Sequence, residues 1–333
     1  MNSYERYMAV INHLPCDYLP RLPLLMAFAA KHVGATYGEF ASDYRVLVKA
    51  NERCVKDFGF DQLSAISDPY REVTGFGGEV EFIAVGVPRL IKSPIGDNKD
   101  LSQLEQPDPH QSPRMQDRLA AVETMASLYQ GQYSVLGWVE GPAAEAANLR
   151  GVMNFLFDTM DDPAFCHELM GRCIDTALEF AKAQLKAGAD TIGVGDAIVS
   201  QISPKSYQEL VFPHQLRLVR GIQEAGGYVR LHICGDITQH LPQMKNLGVD
   251  ILDLDWPVDL AYARSVMTDK VVLVANPNPV EDIQGGNPEA IREQIRRLYE
   301  VAGNPFMLGA GCEIPPATPD ENLKALCAPI AYQ

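Results

Sequence analysis

Residues 231–236 read Leu-His-Ile-Cys-Gly-Asp. His232 and Cys234 are two positions apart, so on an extended segment both side chains leave the same face of the chain. Cys312 lies far downstream, in Gly-Ala-Gly-Cys-Glu. An imidazole with two thiolates is a donor set that zinc prefers, at roughly 2.0–2.3 Å, and three protein ligands leave a fourth position for a reacting atom. Glu140, closing the run VLGWVEG, is the expected displaceable fourth ligand. A lone His-x-Cys pair more often packs as core, because cysteine behaves as a small hydrophobe. A third donor at the end of another apolar run turns the balance toward a metal site.

Other polar residues also end apolar runs: Asp68, Glu140, Asp196, Asp253 with Asp255, and Asn276. Asp253 and Asp255 alternate with Leu252 and Leu254, so they share a face. Such a pair serves as an acid/base dyad, as donor-binding carboxylates or as part of an ion-pair network.

These residues lie at the ends of seven apolar runs, and an eighth precedes them: residues 21–26, then 62–68, 132–141, 190–196, 228–236, 250–256, 270–278 and 305–311. Helix-like stretches separate the later ones, at 203–226, 237–248, 260–267 and 287–303. Repeated strand–helix alternation predicts a parallel sheet with helical crossovers, and eight steps predict a closed α/β (β/α)8 TIM barrel, one domain over residues 1–333. The competitor is an open doubly wound sheet, but no G-x-G-x-x-G follows an early strand. The Gly-rich, β-branched sequence between Tyr70 and Leu101 predicts a hairpin inserted after strand two. Residues 106–117 resemble a linker. In a barrel the chemistry belongs at the C-terminal ends of the strands, where the residues named above fall.

The bulk numbers narrow the function classes. Among 333 residues, 47% hydrophobic and 21% charged is ordinary for a globular chain, and a net charge of −15 spread along the sequence offers no basic face for nucleic acid. The first residues lack a signal-like basic and apolar succession, and no run of about 18 apolar residues suits a membrane. A cytoplasmic location is expected. Seven scattered cysteines do not form a disulfide framework. Cys16, Cys54, Cys166, Cys173 and Cys327 are read as structural.

The segments FGFDQLSAISDPYREVTGFGGEVEF (58–82), VLGWVEGPAAEAANLRG (135–151), LHICGD (231–236), NLGVDILDLDWPVDL (246–260), KVVLVANPNP (270–279) and GAGCEIPPATPDENLKAL (309–326) resemble the uroporphyrinogen decarboxylase superfamily, in order over nearly the whole chain. The resemblance implies a TIM barrel. The decarboxylase branch uses no metal and pairs arginines after the first strand with a central aspartate. Here Asp68 matches the aspartate, but Arg21 stands alone ahead of the strand. The other branch resembles methylcobalamin:coenzyme M methyltransferases and related corrinoid-dependent enzymes, whose zinc pattern is His-x-Cys with a distant Cys. His232, Cys234 and Cys312 match it residue by residue, while Glu313 stands where many members carry glycine.

That branch implies zinc and a corrinoid, cobalamin, which a partner corrinoid protein must bring, since this chain has no D-x-H-x-x-G. Two directions of transfer make different demands. A thiol acceptor is held on zinc as an anion, whereas a methyl ether needs its leaving oxygen protonated. Glu140, Asp196, Asp253 and Asp255 are the expected proton donors. Tyr70, Trp138, Trp256 and Met26 could frame a ring-bearing substrate, with Asp68 and Asn276 beside them. The expectation is a zinc methyltransferase moving a methyl group from a small O-methylated compound to the cobalt of a corrinoid protein. A methylcorrinoid:thiol methyltransferase is the alternative, followed by a decarboxylase or a non-catalytic methylated-ligand binder.

Overall fold

Most of the apolar runs become short strands, being rich in β-branched or aromatic residues and stopped by Gly, Pro, Asp or Asn, and a hairpin adds two more. In the computed structural model, which describes residues 1–333, these are β1 (Gln62–Ser64), β2 (Glu79–Glu81), β3 (Arg89–Lys92), β4 (Ser134–Glu140), β5 (Thr191–Gly195), β6 (Tyr228–His232), β7 (Ile251–Asp253), β8 (Val272–Val274) and β9 (Phe306–Met307). Seven of them form one parallel sheet in the order β1-β4-β5-β6-β7-β8-β9.

The sheet closes through Pro20–Leu22. Leu22 donates its N–H to the Leu308 carbonyl and Leu308 to that of Pro20, both at 2.7 Å, while Asp61 donates to the Arg21 carbonyl at 3.0 Å. This segment touches both edges of the sheet and stands where the first of eight strands belongs. The expected strand over 21–26 shrinks to it because Pro20 and Pro23 have no N–H to give to a ladder.

β2 and β3 pair antiparallel as a hairpin outside the barrel. The sequence predicted a hairpin over the whole of 70–101, but its first part, Arg71–Gly75, is helical. The linker-like stretch is likewise half wrong, since a helix runs from Pro113 to Tyr129 with proline in its first turn. The expected helix over 237–248 reduces to Leu241–Met244, whereas 260–267 and 288–302 match their predicted helices.

The N-terminal end of the barrel is sealed. Helix Ser3–Ile11 packs Tyr7, Val10 and Ile11 against Leu22, Ile251, Val272, Val274 and Met307. Above this plug Arg230, 2% exposed, bonds Asp253, the Gln62 side chain and the Leu22 carbonyl, joining three parts of the barrel through one guanidinium. With that end filled, only the C-terminal mouth can take a ligand. No helix is long and apolar enough to cross a membrane.

Candidate metal centre and active-site cavity

β6 ends at His232, and the chain turns at Gly235, whose φ of +90° suits glycine. The turn holds Cys234 beside the ring it follows by two residues: His232 Nε2 is 3.3 Å from Cys234 Sγ. Cys312, in the loop after β9, completes the group at 3.3 Å from Cys234 Sγ and 3.7 Å from His232 Nε2. Ligands bound at zinc distances in a tetrahedron lie about 3.5–3.8 Å apart, so the three donors already sit close to the spacing such an ion requires. The donor chemistry and the geometry both fit the metal that the sequence implied.

The electrostatics follow from burial and proximity. Burial opposes a charged His232, yet Asp253 and Cys312 hold its pKa up, to about 10. The contact between the two thiols favours one shared negative charge, which pulls the Cys312 thiol down and pushes that of Cys234 up. Asp253 Oδ2 lies 3.2 Å from His232 Nδ1, and both carboxylate oxygens also take the Arg230 Nε–H, at 3.0 and 2.9 Å. Burial would raise the Asp253 pKa, but Arg230 and His232 outweigh it and lower it.

Beside the triad is a cavity of about 250 Å³, walled by Leu24, Met26, Ile66, Asp68, Pro69, Val87, Trp138, Glu140, Gly195, Asp196, Ala197 and Glu313 together with His232, Cys234 and Cys312. Of the expected residues, Met26, Asp68, Trp138, Glu140 and Asp196 are therefore brought together with the three donors. Trp138 crosses behind the cavity, its ring centroid 6.3 Å from that of His232, and donates its indole N–H to Glu140 at 3.2 Å.

Glu140 is not part of the close donor group, which comprises His232, Cys234 and Cys312 only. Its Oε1 instead accepts from Arg71 at 2.8 Å as well as from Trp138, and both of these hydrogen bonds leave Oε2 unengaged. Burial raises its pKa to about 8, with Arg71 working downward and Glu72 upward. Asp196 is also buried, which raises its pKa to about 7, and accepts from Ala144 N–H and Gln215, both at 2.7 Å.

Four expectations need correction. Asp253 and Asp255 are not a dyad in the cavity: the first is committed to His232 and Arg230, and the second accepts the N–H groups of Gly235 and Trp256, at 2.6 and 2.7 Å, holding the metal-site loop. Asn276 spends its side-chain amide on the Asp255 and Val258 carbonyls. Tyr70 and Trp256 line no wall of this cavity, and Trp256 is 54% exposed on the rim. Asp68 is in the wall, but Arg114 takes both its oxygens, at 3.1 and 2.6 Å. Burial pushes the Asp68 pKa up and Arg114 overrides it, leaving the carboxyl well below its usual range.

Sequence reasoning missed the group behind Glu140. Arg71, Glu72 and Glu145 are each at most 2% exposed, and neither Glu145 oxygen has a partner. Burial, with Glu72 and Glu140 near, raises the Glu145 pKa far above the carboxylate range. A signal existed: Glu145 is the lone acid in the small-residue run PAAEAAN. Glu313, which stands where many relatives carry glycine, walls the cavity and accepts the Ala27 N–H at 2.7 Å.

A closed parallel barrel with a cavity and convergent polar groups at its C-terminal mouth is the layout of a barrel enzyme's active site. The chain belongs to the uroporphyrinogen decarboxylase (URO-D) family, whose model matches residues 2–331. It is similar to the methylcobamide:CoM methyltransferase MtbA of Methanosarcina mazei, 26% identical over 330 residues and covering 97% of this chain and 95% of that one. It is also similar to the uroporphyrinogen decarboxylase of Psychromonas ingrahamii, 27% identical over 304 residues, covering 86% and 84%. Among solved structures, a methyltransferase from Methanosarcina mazei superposes with a TM-score of 0.90 over 98% of each chain at 22% identity, which shows the shared fold.

Proposed function

We propose that the protein is a corrinoid-dependent methyltransferase that takes the methyl group of a small O-methylated substrate, an aryl methyl ether fitting best, and gives it to the cobalt(I) of a separate corrinoid protein. The observation that carries the direction is the makeup of the cavity wall, which includes Glu140 and Asp196, two acids raised toward neutrality, and no lysine or arginine. An ether that loses its methyl group as a cation leaves an oxyanion, which needs one proton. Two acids held near neutrality, beside an Asp68 that Arg114 keeps ionised, suit that demand better than they suit an anionic acceptor.

His232, Cys234 and Cys312 would hold a zinc ion, whose Lewis acidity would polarise the ether oxygen. Glu140 is the proton donor, because its Oε2 is unengaged while Arg71 and Trp138 fix its Oε1. Trp138, Leu24 and Ile66 are buried apolar wall that keeps water from the leaving oxygen. Asp253 positions the His232 ring. Arg21 cannot serve a polycarboxylate substrate as a decarboxylase would require, since it is bound to Asp61 at 2.8 Å, outside the cavity.

A second reading is favoured by the Methanosarcina relative named for CoM: transfer from methylcorrinoid to a thiol. The test begins with metal content after purification without oxygen or chelator. About one zinc per chain, lost on replacing His232, Cys234 or Cys312, supports either reading. Cobalt(I) corrinoid is then mixed with methoxybenzene derivatives, and separately methylcobalamin with thiols. Consumption of cobalt(I) by the ethers supports the proposal; consumption of methylcobalamin by thiols alone replaces it with the second reading.

A further inference from the structure

A second chamber of about 540 Å³ adjoins the cavity beside the triad and shares two wall residues with it, Val87 and Glu313. Its walls come from three separate parts of the chain: Ala27–Tyr37 after the first barrel segment, the hairpin tip Ala84–Val87, and Glu313–Pro316 after the metal-site cysteine. Most are small: Ala27, Ala30, Ala35, Ala84, Gly86 and two prolines. Small side chains on three converging segments leave space by construction.

The chamber is held in shape. Tyr37 donates its backbone N–H to the Ala84 carbonyl at 3.0 Å, tying the hairpin tip to the helix Tyr37–Ser42. The Tyr37 hydroxyl bonds the Ser67 carbonyl, and Ala27 donates to Glu313 at 2.7 Å. The only cation in the wall, Lys31, is turned to the Pro316 carbonyl at 2.9 Å. The space between is apolar and roughly twice the size of the inner cavity.

We infer that this outer chamber is where the enzyme selects its substrate by the size of an uncharged, apolar ring system. The distal ring rests between Ala35 and the hairpin tip, and the ring that carries the methoxy group lies past Glu313 and Val87 in the inner cavity beside the triad. The inference rests on the methyl-transfer reading for which end of the substrate faces inward. It adds the class that the inner cavity alone does not define: bodies larger than one benzene ring, with no anionic substituent. Preformed pockets of this size and lining take such ligands through the apolar area they bury.

The test is binding, measured by calorimetry on the zinc-loaded protein without corrinoid, using phenol and 2-naphthol, the demethylated forms of methoxybenzene and 2-methoxynaphthalene. The expected result is at least tenfold tighter binding of 2-naphthol than of phenol, with Ala35→Phe and Ala84→Phe each erasing that difference. Ala35 is half-buried in a loop and Ala84 is exposed, so two separate sites guard against one variant failing to fold. Equal binding of the two phenols, or a preference untouched by both folded variants, overturns the inference. Tight naphthol binding by a protein that transfers no methyl group would sink the proposed reaction and leave the ring-binding chamber standing.

Discussion

Asp253 and His232 are joined through the ring nitrogen that faces away from the thiols: Asp253 Oδ2 lies 3.2 Å from Nδ1, while Nε2 points at Cys234 from 3.3 Å. Residues on neighbouring strands, in register as β6 and β7 partners, thus fix which nitrogen is offered to an ion. A carboxylate behind a metal-binding imidazole sets its tautomer and raises its basicity. Asp253→Asn is expected to weaken zinc affinity by about 10–100-fold with the fold retained. Competition against a chelator of known affinity measures it, and an unchanged affinity would show that the charge on Asp253 is not needed to hold the metal.

Glu140 gives a prediction with a pH sign. A group that must donate a proton is active below its pKa, so turnover of an ether should be flat at acid and neutral pH and fall as pH rises through about 8. Glu140→Gln keeps the size and the contacts of Oε1 but has no proton to give. It should lower kcat by about 100-fold or more, leave zinc content at one per chain and remove the alkaline limb. Loss of zinc in that variant would instead make Glu140 the fourth ligand that the sequence suggested.

Cys312 distinguishes a working metal from a structural one. The three donors converge on one side of the cavity wall, and the core does not depend on them. Cys312→Ala should lose zinc and turnover while its Tm falls by only a few degrees. A structural site contributes folding energy directly, so a collapse of the thermal transition would favour a non-catalytic role.

Both the barrel and the triad were legible because they depend on local pattern. Each strand is an apolar run with its own stop signal, and His232 and Cys234 lie on one short segment. What was not legible depends on which distant group reaches a side chain first. Asp253 and Asp255 look alike in sequence, yet Arg230 and His232 claim one and the N–H groups of a turn claim the other. Glu140 ends its strand beside the donors, and nothing in the sequence shows that Arg71 and Trp138 hold its Oε1. The hairpin was visible, but nothing in its sequence announced that Val87 would reach the cavity.

The position of Trp138 depends on two glycines of the next strand. Trp138 pairs in register with Gly193, and a Cβ on Gly193 would lie 2.1 Å from the indole, while one on Gly195 would lie 3.0 Å away. Neither glycine has a positive φ, so the requirement is space and not backbone freedom. Gly193→Ala must displace the indole from its present packing. Overpacking of this kind costs about 1–3 kcal/mol, measurable as a shift in denaturant midpoint. The same displacement breaks the Trp138 hydrogen bond to Glu140, which lowers the Glu140 pKa, so the loss should bring that pKa up. The alkaline limb of the ether reaction should therefore move to higher pH in Gly193→Ala. A destabilised variant with an unmoved limb would mean that the indole keeps its bond and that strain is relieved elsewhere in β5.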